Sequence, residues 1–180
     1  MSDASNYLED VGIILDKLED VGFRPILVGG MALALLGSRR VTRDFDFLIS
    51  NPEDRLQALV DIFYQNGLEL AARVDKNGEI TATIENRRVA VLRLRMDKPS
   101  SIYFFNPTTG LRIDLLFDFP LAASELAKRA QKIKVQSYIF YVASEKDLLR
   151  LKEIAKLDRN SPFDAQDIAF LKARRKKPKL

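Results

Sequence analysis

The chain has 180 residues, 47% of them hydrophobic and 30% charged, with 8 glycines and 7 prolines. This suits one compact domain with a small helical annex, and it excludes collagen-like and disordered chains. There is no cysteine and no histidine, which excludes disulfides, thiolate or imidazole metal sites, cysteine nucleophiles and histidine acid–base chemistry. A metal must sit on oxygen ligands, and chemistry must run on carboxylates, lysines, arginines and hydroxyls. The net charge of +4 is uneven, because Lys172, Arg174, Arg175, Lys176, Lys177 and Lys179 crowd the C-terminus and leave the remainder slightly acidic. No segment approaches the roughly 18 apolar residues of a membrane span, and the acidic N-terminus lacks a secretory pattern. The expectation is a cytoplasmic protein with no membrane contact.

Leu8, Val11, Ile14, Leu15, Leu18 and Val21 recur at helical spacing and predict a first helix over 4–21. The apolar run 23–28 predicts a strand entering Gly29-Gly30, followed by a short helix over 31–36 that Gly37 stops. Residues 44–50 alternate as a strand, and Asn51-Pro52-Glu53 opens a helix reaching about Gln65. Further strands are predicted at 79–85 and 88–95, turning at Asn86-Arg87, and at 101–105 and 111–117 about the cluster 106–110. A helix at 121–131, a strand at 134–142, a helix at 145–158 capped by Ser144 and a final helix from Pro162 to near Ala173 complete the pattern. The fold class is α/β (α+β), with a mixed, largely antiparallel sheet flanked by helices and a C-terminal helical segment. The organisation is a core at 1–143, helices at 144–173 packed on it, and a basic tail at 174–180.

Three features carry chemistry. In a strand, side chains two apart share a face, so Asp44 and Asp46 project together while Phe45 and Phe47 face the core. Adjacent carboxylates repel unless a cation neutralises them, and Asp114 on a later strand supplies a third. Oxygen ligands on a rigid sheet suit Mg²⁺ or Mn²⁺ together with substrate phosphates. Gly29-Gly30 at a helix start lets backbone N–H groups approach a phosphate, and Arg39, Arg40 and Arg43 lie close in sequence. Together these parts make a phosphoryl- or nucleotidyl-transfer site. Each has a plainer reading as well. A glycine pair is often just a turn, Arg43 beside Asp44 can be a structural ion pair, and Asp118 fits a cap at a strand end or helix start.

The order Gly29-Gly30, Asp44/Asp46, Asp114 resembles the nucleotidyltransferase superfamily with the DNA polymerase β-like core. Within it, GGMALALLGSRRVTRDFDFLI looks like the AbiEii/MenA-type branch, which includes toxins of bacterial toxin–antitoxin pairs. The resemblance implies Asp44, Asp46 and Asp114 as catalytic metal ligands and Gly29, Gly30, Arg39 and Arg43 as nucleotide-binding residues. The C-terminal segment 147–171 is similar to that branch's helical end, which implies a site lysine at Lys152 and a nucleotide-side aspartate at Asp164, with Lys156 and Asp167 as substitutes. It further implies an NTP substrate, a tRNA end or a protein as acceptor, and an antitoxin partner. Aminoglycoside nucleotidyltransferases share a similar stretch, so a small-molecule acceptor is an alternative. A non-catalytic nucleotide-binding or interaction module is another.

Overall fold

The computed structural model describes residues 2–159 and 161–177. Lys179 of the basic tail lies outside the described residues.

α1 (Ser2–Asp20) buries Val11, Ile14, Leu15 and Leu18, the stripe that its helical spacing predicts. Gly12 faces β8 (Tyr138–Val142), where an added Cβ would meet the Tyr138 ring at 2.3 Å, so glycine there sets how closely α1 approaches the sheet. β1 (Ile26–Val28) is buried throughout. It leads directly into α2 (Gly29–Leu35), which packs on β1 and on β2 (Phe45–Ile49). A 3-10 turn at Glu53–Arg55 enters α3 (Leu56–Gln65). Phe63 of α3 stacks on Phe104 of β5 (Ser101–Phe105), with ring centroids 4.0 Å apart. β3 (Glu69–Val74) and β4 (Ile80–Ile84) form a hairpin. Its turn is held by the Asp75 carboxylate, which accepts from the N–H groups of Asn77 and Glu79.

The strand expected at 88–95 is instead a helix, α4 (Arg87–Asp97). The Asn86 side chain accepts from the N–H groups of Arg88 and Val89 at 2.9 and 3.2 Å. It is therefore an N-cap rather than a hairpin turn. Ala90, Val91 and Leu94 form the buried face.

β5 pairs with β6 (Arg112–Phe117) around the predicted turn at 106–110. After β6, Asp118 accepts from Asn51 N–H at 3.0 Å and from Ala123 N–H at 2.8 Å, the capping role expected for it. The helix expected over 121–131 is shorter, α5 (Ala123–Ala127). The strand expected at 134–142 is two strands, β7 (Gln131–Val135) and β8, turning at Gln136, whose φ is 55°. No glycine or asparagine marks that turn. α6 (Glu145–Asp158) starts at Ser144, whose hydroxyl accepts from Asp147 N–H at 3.1 Å. α7 (Pro162–Lys176) packs on α6 and extends past Ala173. Arg174, expected in a free tail, donates to Glu145 at 2.6 Å and to the Leu36 carbonyl at 2.9 Å.

All eight strands form one sheet in the order β4-β3-β5-β6-β2-β1-β8-β7. The β2–β6 and β1–β8 pairs are parallel and the others antiparallel. This is the mixed, largely antiparallel sheet that the element pattern implies. The parallel pairings gather β6, β2 and β1 at its centre, with α2 and the α6–α7 pair leaving from the same end. Among the described residues no helix is long and apolar enough to cross a membrane.

Candidate active site on the central strands

β1 runs into Gly29, while β2 and β6 depart just after Asp44 and Leu111. Antiparallel pairing sets Val28 opposite Asp46, and parallel pairing sets Asp46 opposite Asp114. Directly opposed residues present side chains to the same face, so these two carboxylates stand side by side. Phe45 and Phe47 are each 1% exposed, as the alternation requires. Asp44 lies one residue before β2 and is exposed; it acts on the pair through charge.

Gly29 has φ of +71°, and an added Cβ would lie 2.3 Å from Asp46 Oδ2. Glycine is therefore required twice, by the backbone conformation and by the carboxylate occupying the space a side chain would fill. The sequence offers Gly29 a phosphate-approach role, and the structure adds clearance for Asp46. Gly30 is buried, and a Cβ there would meet Thr42 at 3.3 Å.

Burial, followed by repulsion from Asp114 and Asp44, pushes the Asp46 carboxyl up to about 7, against the pull of Lys152 and Arg112. Burial also raises Asp114, against hydrogen bonds and charge from Arg112. Asp46 itself makes no ion pair among the described residues.

Arg112, to which the sequence assigns no role, clamps Asp114. Its Nε donates at 2.7 Å and its Nη2 at 3.0 Å to the two carboxylate oxygens, a bidentate geometry. The same guanidinium donates to the Gly78 carbonyl at 2.6 Å and lies 4.8 Å from the Tyr103 ring centroid. The two-residue spacing of Arg112 and Asp114 was the available signal, since it places both on one face of β6.

Among the described residues no three carboxylates form a ready ligand group. Asp114 is engaged by Arg112, and Asp44 stands in the exposed approach to β2. The donor chemistry nevertheless fits a hard divalent cation on Asp44 and Asp46, because oxygen ligands are offered and burial with the neighbouring carboxylates holds the Asp46 carboxyl well above the usual range.

The C-terminal helices bring a second charged cluster to this end of the sheet. Lys152 Nζ lies 2.8 Å from Asp167 and 3.6 Å from Asp164, with its side chain 8% exposed. Asp164 and Asp167 are buried. Asp164 accepts from Arg159 at 2.9 and 3.0 Å, and Asp167 also pairs with Arg40. Thus Lys152 meets both aspartates, while Lys156 is exposed in the last turn of α6. Arg39 and Arg43 are exposed and, among the described residues, make no ion pair.

No family model matches the chain, and no curated protein matches it. Solved structures do. The crystal structure of the lincosamide antibiotic adenylyltransferase LnuA, lincomycin-bound, is similar with a TM-score of 0.56 and 15% identity, covering 91% of this chain and 95% of that one. The solution structure of the antibiotic-resistance factor ANT(2'')-Ia gives 0.57 and 11%, with coverage of 93% and 83%. An antigenic nucleotidyltransferase-like protein from Paracoccidioides brasiliensis gives 0.59 and 16%, with coverage of 94% and 76%. At these identities the likeness is one of architecture, and the chain has the nucleotidyltransferase fold.

Proposed function

We propose that the protein is a metal-dependent nucleotidyltransferase that moves a nucleoside monophosphate from an NTP to a hydroxyl acceptor. The observation that carries this reading is the half-buried Asp46–Asp114 pair, set in register on the central strands beneath a glycine that leaves room for one of the carboxylates. Among the described residues the Arg112 guanidinium pairs with Asp114 alone, so two carboxylates share one cation, an excess of negative charge that is unfavourable; its presence on a nucleotidyltransferase fold supports a use for it.

On this reading Asp44 and Asp46 hold Mg²⁺ or Mn²⁺. Bound there, the ion would supply charge neutralisation at the triphosphate and Lewis-acid polarisation of the reacting phosphorus. The chain's own groups do the rest. Gly29 and Gly30 bring backbone close to the phosphates, and Arg39 and Arg43, which have no competing partner among the described residues, meet their charge. Asp114, held by Arg112 in one orientation, accepts the proton of the incoming hydroxyl or completes the ligand set once Arg112 yields. Lys152 is already neutralised by Asp164 and Asp167, so its part is to set the potential at Asp46 rather than to bind phosphate as a free cation. Catalysis rests on positioning and electrostatics.

The acceptor we infer is a tRNA end. Lys172, Arg175, Lys176 and Lys177 form an exposed basic run along the last turns of α7, which suits a polyanionic acceptor. The protein acts in this reading as the toxin of a toxin–antitoxin pair. The test offers purified protein each α-labelled NTP with Mg²⁺ or Mn²⁺, together with total tRNA, cell protein and hydroxylated small molecules. Label on tRNA that an Asp44→Asn/Asp46→Asn variant cannot add supports the proposal. Label confined to protein or to a small molecule replaces the acceptor but retains the chemistry. An absence of label in every arm, with no metal-dependent NTP binding, rejects it. Growth arrest on expression, abolished by Asp46→Asn, tests the toxin role.

A further inference from the structure

α4 carries two apolar faces, and the fold uses one of them. Ala90, Val91 and Leu94 are buried against the body, where α4 packs on α3 and on β4, an edge strand of the sheet. Val89, Leu92 and Met96 are 50%, 57% and 81% exposed on a helix of only 11 residues. Large apolar side chains scattered singly over a surface need no explanation. These three are not scattered, because steps of three and then four residues set them on one narrow stripe. Such steps are the a–d–a register of a two-stranded coiled coil, with Val89 and Met96 at a and Leu92 at d. The helix residues that flank the stripe, at the e and g positions, are Arg88, Arg93 and Arg95, all exposed. Arg88 and Arg95 make no ion pair among the described residues. Arg93 meets Asp97 of its own helix at 3.4 Å, with both side chains about half exposed, a contact weak enough to be exchanged.

The flanks decide the occupant. A second copy of α4, parallel or antiparallel, would set arginine against arginine along both edges of the stripe. A nucleic acid would meet the arginines but leave the apolar stripe wet, and α4 has no aromatic side chain for bases to stack on. A bilayer would gain little, since a helix roughly 16 Å long with three apolar side chains offers lipid a small area. Carboxylates on a facing helix match the arginine forks. We propose that α4 is the docking face for an amphipathic helix of another protein, one whose apolar stripe covers Val89, Leu92 and Met96 and whose flanking glutamates or aspartates meet Arg88, Arg93 and Arg95. The proposal stands apart from the nucleotidyl-transfer reading, because α4 carries no residue of the candidate active site.

The experiment uses two fluorescent helical peptides, held helical by a side-chain staple and bearing leucine along the stripe. One carries glutamate at the flanking positions and the other lysine. Anisotropy titrations compare the wild-type chain with Leu92→Ser and with Arg88→Glu/Arg95→Glu, and thermal melts check that each variant folds. The wild type binds the glutamate peptide and not the lysine peptide. Leu92→Ser weakens that binding about tenfold, and Arg88→Glu/Arg95→Glu reverses the preference between the peptides. Should Leu92→Ser melt below wild type, the charge reversal, which removes no apolar contact, carries the test alone. Equal affinity for both peptides, binding of neither, or a preference that survives the charge reversal overturns the proposal. Sedimentation of the wild type alone and with phosphatidylserine-containing vesicles supplies the other occupants. Self-association or vesicle binding that Leu92→Ser abolishes would give the face to a second copy or to a lipid surface, and overturns the proposal as well.

Discussion

Asp46 holds its proton up to about pH 7 because burial, Asp114 and Asp44 all oppose its ionisation. The sign of the consequence follows from linkage. The folded state binds a proton that the unfolded carboxyl, near 3.8, has released, so stability falls as pH rises from about 4 through about 7 and stays reduced above. Asp46→Asn removes that penalty. The metal-free variant is expected to unfold at higher temperature than wild type at pH 8, by about 1–3 kcal/mol in stability, and to differ little near pH 4. Millimolar Mg²⁺ stabilises wild type at pH 8 and leaves the variant unmoved; thermal melts with and without metal read both effects.

Asp164 works in the opposite direction. The Arg159 hydrogen bonds first, and then the charges of Arg159 and Lys152, hold its carboxyl below its ordinary value despite burial. Its contribution is complete above the unfolded value of 3.8 and disappears as pH falls through the lower folded value. Asp164→Asn should cost about 1–3 kcal/mol at pH 7 and progressively less as pH falls below 3.8, as urea melts across that range will show. An equal loss at both ends would mean that packing rather than charge is what Asp164 provides. At this scale the order and apolar flanks of the sequence pointed to Asp44, Asp46 and Asp114, and the structure brings Asp46 and Asp114 into register. The sequence concealed the Arg112 clamp and the double engagement of Lys152, because both depend on side chains meeting across elements.

The clearest departure from the sequence reading among the elements is α4. Asparagine favours tight turns and helix N-caps for the same reason: its side-chain oxygen accepts from backbone N–H groups two or three residues on. Asn86-Arg87 therefore reads equally as a hairpin turn or as a cap, and the buried face of Ala90, Val91 and Leu94 decides for the helix. Asn86→Ala should lower stability by about 1 kcal/mol while leaving the transfer rate intact, since α4 carries no site residue; a matched melt and rate measurement checks this. The turn at Gln136 escaped for a different reason. A non-glycine residue with φ of 55° carries no mark in the sequence, and the pairing of β7 with β8 holds it there. By contrast α1, α6 and the hairpin around 106–110 were legible, because periodicity, a serine cap and a glycine-bearing turn are local signals.

For the whole molecule, charge is segregated: acidic groups gather on the central strands and cations collect along the last turns of α7. Arg174 is tied into the body by Glu145 and the Leu36 carbonyl, so α7 presents its remaining cations from an anchored helix. Each phosphate that a cation neutralises releases counterions. Binding of tRNA should therefore weaken steeply with salt, and Lys172→Gln/Arg175→Gln/Lys176→Gln should reduce the log–log slope by about 2–3. A slope unchanged by the triple substitution would move the acceptor away from this face.

The sequence by itself narrowed the class of chemistry. Without histidine or cysteine, only oxygen ligands remain for a metal, and strand parity alone aims Asp44 and Asp46 away from the phenylalanines beside them. It also determined most elements, because helical periodicity, caps and turns act over a few residues. Tertiary structure decided which carboxylates stand together, since the register of β2 against β6 joins Asp46 to Asp114 across residues far apart in the chain. It also decided that Gly29 must yield its space to Asp46, that Arg112 occupies Asp114, and that Lys152 spends its charge on two aspartates of α7. Those outcomes depend on distances between elements, and local sequence places no constraint on such distances until the sheet and helices have packed.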